Sequence, residues 1–91
     1  MKIHELKTDS EVFCAVIAKI KTFEIRKNDR DFKFGDYLHL RETLYTGKDM
    51  INGHKLEYTG REVLVKVIYI LHGPIYGLAD GWCIMSIRAV E

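Results

Sequence analysis

The chain has 91 residues, a hydrophobic fraction of 47% and a formal net charge of +1. This composition describes one small domain, residues 1–91, with enough apolar residues to form a core, and it excludes a disordered chain. A charge so near zero does not by itself announce a nucleic-acid binder, no apolar run is long enough to cross a bilayer, and the N-terminal MKIHELK lacks a signal-peptide core, so a cytoplasmic protein is expected, with no membrane partner.

The first seven residues read as a short strand with Ile3 and Leu6 apolar. Thr8-Asp9-Ser10-Glu11 has capping-box spacing, in which Thr8 accepts from the Glu11 N–H and Glu11 reaches back. Val12, Phe13, Val16, Ile17 and Ile20 follow at the spacing of one helical face, which predicts a helix over about residues 9–19. At Thr22 the period changes to two. Phe23 and Ile25 are expected on the core face of a strand, with Thr22, Glu24 and Arg26 on the other. KNDRD is a polar turn, Phe32 and Phe34 are expected in the core, and Gly35-Asp36 makes the next turn. Residues 37–42 form a strand with Leu38 and Leu40 inward. Residues 43–59 have no clear period and read as a long mobile hairpin loop with short strand pieces. VLVKVIYIL, within residues 62–71, is the strongest β signal and suggests burial on both faces. GPIYGLADG is a loop holding the only proline, and residues 82–90 form the last strand. These elements predict an α+β, mostly β fold: a small antiparallel or mixed barrel of five to six strands, with one early α-helix packed against it.

Cys14 and Cys83 sit far apart in apolar runs and are expected to be buried thiols. The four histidines form no i, i+4 pair and no HExxH. Neither a metal site nor a cofactor is expected. The charge is concentrated in one place. Residues 19 to 33 hold six basic side chains (19, 21, 26, 27, 30, 33) and three acidic ones (24, 29, 31), net +3, which leaves about −2 for the rest of the chain.

The run from Lys21 to Arg30, followed by Phe32, Gly35-Asp36, Leu38, Leu40, Arg41 and Glu42, resembles the signature of the ASCH (activating signal cointegrator homology) superfamily. It is most similar to a small bacterial and phage branch of that superfamily. The likeness continues through Tyr58-Thr59-Gly60-Arg61, Tyr69-Ile70-Leu71 and Gly81-Trp82 to Ile87, in order along nearly the whole chain. It implies a PUA-like barrel and a cleft between the helix end and the barrel, lined by the Lys…Glu…Arg stretch. It also implies RNA, nucleotide or nucleoside partners. Two departures stand out: Lys19 replaces the usual glycine at the helix end, and the 43–59 segment is longer than usual.

Lys21, Glu24 and Arg26 are then the candidate ligand face, although a solvated strand face with cancelling charges would read the same way. Glu24 can accept from an exocyclic amine, and Arg26 can fork onto a carbonyl edge or a phosphate. Lys27 and Arg30 are candidates for phosphate contact, with Asp29 and Asp31 able to pair with Arg30 or Arg41 instead. Tyr76 and Trp82 flank the glycine-rich loop, and one of them is expected to stack on a base at the cleft. The leading function is a non-enzymatic RNA- or nucleotide-binding module. The alternative implied by the resemblance is an amidohydrolase acting on acylated cytidine-type nucleosides. It would use Lys21 and Glu24 as catalytic residues, Glu24 standing where that branch has a threonine, and Glu42, Glu57 or Glu62 as a distant glutamate. A third reading is an accessory protein-interaction domain acting through residues 43–59.

Overall fold

The computed structural model describes residues 1–90. Alternating burial begins at once: in β1 (Ile3–Asp9) His4, Leu6 and Thr8 are buried while Ile3, Glu5 and Lys7 are exposed. The strand runs through Thr8, so the expected capping box does not form. The helix α1 (Ser10–Ile17) starts from Asp9, whose side chain makes no cap hydrogen bond. The side chains at the helix start bond to other elements: Asp9 Oδ1 accepts from the Gly47 N–H at 3.0 Å, and Ser10 Oγ donates to Glu42 at 2.7 Å. Only Phe13 and Val16 of the helix are buried; Ile17 and Ile20 are exposed.

The other end of α1 answers the Lys19 departure. The Ile20 N–H bonds to the Ala15 carbonyl and the Lys19 N–H to the Val16 carbonyl, both at 3.0 Å. This is the double bond of a Schellman cap, and Lys19 takes its left-handed position with φ 62°. A side chain with a Cβ is strained there. Lys19→Gly is therefore expected to raise stability by about 0.5–1 kcal/mol, checked as an increased urea midpoint with unchanged slope.

After α1 come β2 (Phe23–Lys27), β3 (Tyr37–Thr43), a short helix α2 (Gly47–Ile51), β4 (Tyr58–His72) and β5 (Trp82–Ala89). The five strands form one curled half-barrel in the order β1-β3-β4-β5-β2, in which β1 and β3 are parallel and the other pairs antiparallel. The mostly β fold with an early helix is thus as expected. The core is Leu6, Phe13, Val16, Phe32, Leu38, Leu40, Val65, Val67, Cys83, Met85 and Ile87.

Several further sequence expectations change. Residues 43–59 include a helix, α2, capped by a reciprocal Thr46–Asp49 box. β4 is not buried on both faces: a bulge between Val67 and Tyr69 leaves Ile68 and Tyr69 exposed. Cys14 is exposed and only Cys83 is buried, its thiol pushed up by that burial. On β2 the two faces are exchanged. Glu24 is buried, while Phe23 and Ile25 are nearly half exposed, and Phe34 is exposed as well. The register explains the exchange. Glu24 lies opposite Met85 and Arg26 opposite Cys83, so the charged side chains share the concave face with core residues of β5.

Candidate functional site

The sheet does not close, because β1 and β2 are both edge strands. Two arginines span the gap between them. Arg26 Nη2 donates to the Lys7 carbonyl at 2.9 Å and Arg30 Nη1 to the Glu5 carbonyl at 2.7 Å. Those two carbonyls are edge groups that another strand would otherwise satisfy. The 28–32 turn that carries Arg30 is held by Asn28, whose Oδ1 accepts from the Phe32 N–H at 3.0 Å. Asp31 pairs with Lys33 at 3.2 Å, and Arg41 pairs with Glu5 and Glu62, so the expected pairings of the turn aspartates with Arg30 or Arg41 are not the ones that form.

The gap is a cleft of about 560 Å³. Leu6, Thr8 and Phe32 line its interior, together with Val12 from α1. Glu24 sits in its wall with 3% of its surface exposed. One carboxylate oxygen accepts from Lys21 Nζ at 2.9 Å and the other from Arg26 Nε at 3.1 Å. Lys21 also donates to the Phe23 carbonyl, which fixes its stem across the turn into β2. Five basic residues (Lys7, Lys21, Arg26, Lys27, Arg30) and three acidic ones (Asp9, Glu24, Asp29) line the cleft, net +2.

Six of the seven candidate binding residues therefore come together here: Lys21, Glu24, Arg26, Lys27, Arg30 and Trp82. Tyr76 does not. It occupies a left-handed position, φ 48°, at the tip of a two-residue turn closed by paired Ile75 and Leu78, and it is 92% exposed. The same 73–81 loop is tight at its base, where a Cβ on Gly73 would collide with the Ala79 carbonyl.

Thr8 is the residue that sequence reasoning missed. Among the described residues, its Oγ1 is the buried side-chain polar atom that has no hydrogen-bond partner. It belongs to the cleft lining, on the same strand face as Leu6. A buried hydroxyl without a partner costs about 1–3 kcal/mol. The signal was present in the sequence: Thr8 continues the period-two series of His4 and Leu6, which the capping-box reading interrupted.

The glutamates considered for a distant catalytic role do not line this cleft. Glu42 is buried and saturated, with both oxygens taken by Arg61 (2.9 and 2.8 Å), Thr59 (2.6 Å) and Ser10 (2.7 Å). The Arg61 guanidinium, followed by the Thr59 and Ser10 hydroxyls, holds its carboxyl down at about 2. Glu62 pairs with His39 and Arg41, and Glu57 is exposed ahead of β4. A further buried carboxylate, Asp36, accepts from His4 Nε2 at 2.8 Å and from the Lys2 and Lys33 N–H groups. Burial alone would raise its pKa, but these hydrogen bonds outweigh burial and lower it. It ties the 33–36 turn to the start of β1. Among the described residues no three His, Cys, Asp or Glu side chains cluster as a metal would need. No helix is long and apolar enough to cross a membrane.

Residues 3–87 match the family described as a domain of unknown function, DUF3850. The chain belongs to that family. No curated protein matches it.

Proposed function

We propose that this member of the DUF3850 family is an ASCH-like, PUA-like module that binds RNA or a nucleotide in the cleft between β1 and β2. The observation that carries the reading is the unpartnered Thr8 hydroxyl in a cleft that also holds a buried, doubly paired glutamate. A polar ligand seated against β1 displaces enough of the cleft lining to reach Thr8 Oγ1, which is closed to solvent in the fold, and supplies its missing hydrogen bond. The Lys21–Glu24–Arg26 network offers it fixed charges, Trp82 at the rim offers a stacking face, and Lys27 stands beside Trp82 to meet a phosphate. An amidohydrolase has less support, since Lys21 has a carboxylate against it and the three candidate glutamates stand away from the cleft.

Trp82 is the only tryptophan, so its fluorescence reports directly on the rim. Titration with 5′-mononucleotides and short RNA is expected to quench it, with affinity falling as salt rises. Thr8→Val keeps the side-chain shape and removes the orphan hydroxyl. It is expected to leave stability unchanged or raise it by about 1 kcal/mol, while weakening binding roughly fivefold. Binding that is insensitive both to Thr8→Val and to Trp82→Ala would place the ligand elsewhere.

A further inference from the structure

The exchanged faces of β2 leave an apolar surface on the convex side of the sheet. Paired positions lie side by side across the strands. Phe23, Ser86 and Tyr69 form one row across β2, β5 and β4, and Ile25, Ile84 and Leu71 form the next. Trp82 stands opposite Lys27 beyond them. Phe23 is 45% exposed, Tyr69 60% and Trp82 40%. Cations border these rings. Lys21 Nζ lies 4.7 Å from the centre of the Phe23 ring, Lys27 lies beside Trp82, and Arg88 and Lys66 pair with each other on the row beyond Tyr69. Among the described residues no carboxylate lies on these rows.

We infer that this convex face is a stacking platform for unpaired bases, so that the ligand of the cleft is single-stranded RNA several nucleotides long. The inference rests on the reading of the cleft as an RNA or nucleotide site. Exposed rings on a sheet stack with any unpaired base, while bordering lysines and arginines follow the phosphates. Ile25, Lys27 and Trp82 also line the cleft, so a strand leaving it turns around the β2 edge directly onto the platform. A second copy of the chain fits the face less well. A two-fold contact through it would set the cationic border of one copy against that of the other.

The test compares a labelled ten-nucleotide single-stranded RNA, its duplex form and 5′-mononucleotides. The decamer is expected to bind at least roughly tenfold tighter than the mononucleotide, and the duplex to compete poorly. Tyr69→Ala is expected to weaken decamer binding roughly tenfold and to leave mononucleotide affinity unchanged. Lys66→Glu with Arg88→Glu serves as an independent second variant and should flatten the salt dependence for the decamer alone. Equal affinity for decamer and mononucleotide, with both variants inert, overturns the platform and leaves the cleft reading standing. A concentration-dependent dimer that Tyr69→Ala dissociates assigns the face to a second copy and also overturns it. Binding of neither ligand defeats both readings together.

Discussion

Glu24→Ala is expected to lower stability by about 2–4 kcal/mol and to abolish ligand binding. Glu24 is buried on the concave face, with 4% of its side chain exposed, and its two oxygens are shared between Lys21 and Arg26. Removing the carboxylate leaves two cations against the cleft wall with no counter-charge. Loss of one member of a buried pair costs about 3–5 kcal/mol; the value is reduced here because the Lys21 and Arg26 side chains keep 18% and 27% of their surface in water. Arg26 also bridges to β1, so its reorientation widens the gap between the edge strands. Glu24→Gln retains the shape and one acceptor and should fall between wild type and alanine. Replacing Lys21, Glu24 and Arg26 together by Met, Leu and Met removes the charges along with their desolvation cost. It should recover part of the stability without recovering binding, which separates the two roles. Urea unfolding at neutral pH measures the stability. A loss below about 0.5 kcal/mol for Glu24→Ala would make the network an ordinary solvated ion pair.

That prediction depends on a face assignment that periodicity could not make. Residues 22–26 alternate whichever way the strand faces, and the usual rule sends Phe23 and Ile25 inward. The rule fails because β2 is the last strand of an open sheet. Its concave side meets a cleft rather than a closed core, so charge is accommodated there. The central strands obeyed the rule: Leu38, Leu40, Val65 and Val67 are at the centre of the core. The candidate site was legible because its residues are contiguous in sequence and mostly belong to one strand and its flanking turns. Thr8 was masked rather than silent: it continues the alternation of His4 and Leu6 on β1, but its capping-box spacing to Glu11 pointed to a helix start instead. The bulge in β4 was not legible, since an extra residue in a continuous apolar run leaves no local mark. The left-handed turn of Lys19 was recognisable only as a departure from the pattern the chain resembles, and the cap hydrogen bonds show that the conformation persists without glycine.

Glu42→Gln should produce a stability loss that depends on pH in a defined direction. Glu42 joins three elements: it lies on β3, accepts from Ser10 at the start of α1, and accepts from Thr59 and Arg61 on β4. Its pKa is lowered from 4.5 to about 2 in the fold, chiefly by the Arg61 hydrogen bonds and then by the two hydroxyls, against burial, which raises it. A carboxylate with a depressed folded pKa contributes fully above its unfolded value and loses that contribution as pH falls through the folded one. The difference in melting temperature between wild type and Glu42→Gln should therefore be constant from neutral pH down to about 4.5, and close progressively toward about 2. Thermal unfolding across that range tests this; a gap that stays the same at every pH would show that the charge is not what Glu42 contributes. The clamp also bears on the cleft. Asp9 and Val12 line it from the first turn of α1 and the residue before, and Ser10 between them is the residue that Glu42 holds. Ligand affinity of Glu42→Gln should consequently fall although Glu42 touches no ligand, and Thr59→Val, which removes one of the same hydrogen bonds from the far side, should move stability and affinity in the same direction by a smaller amount.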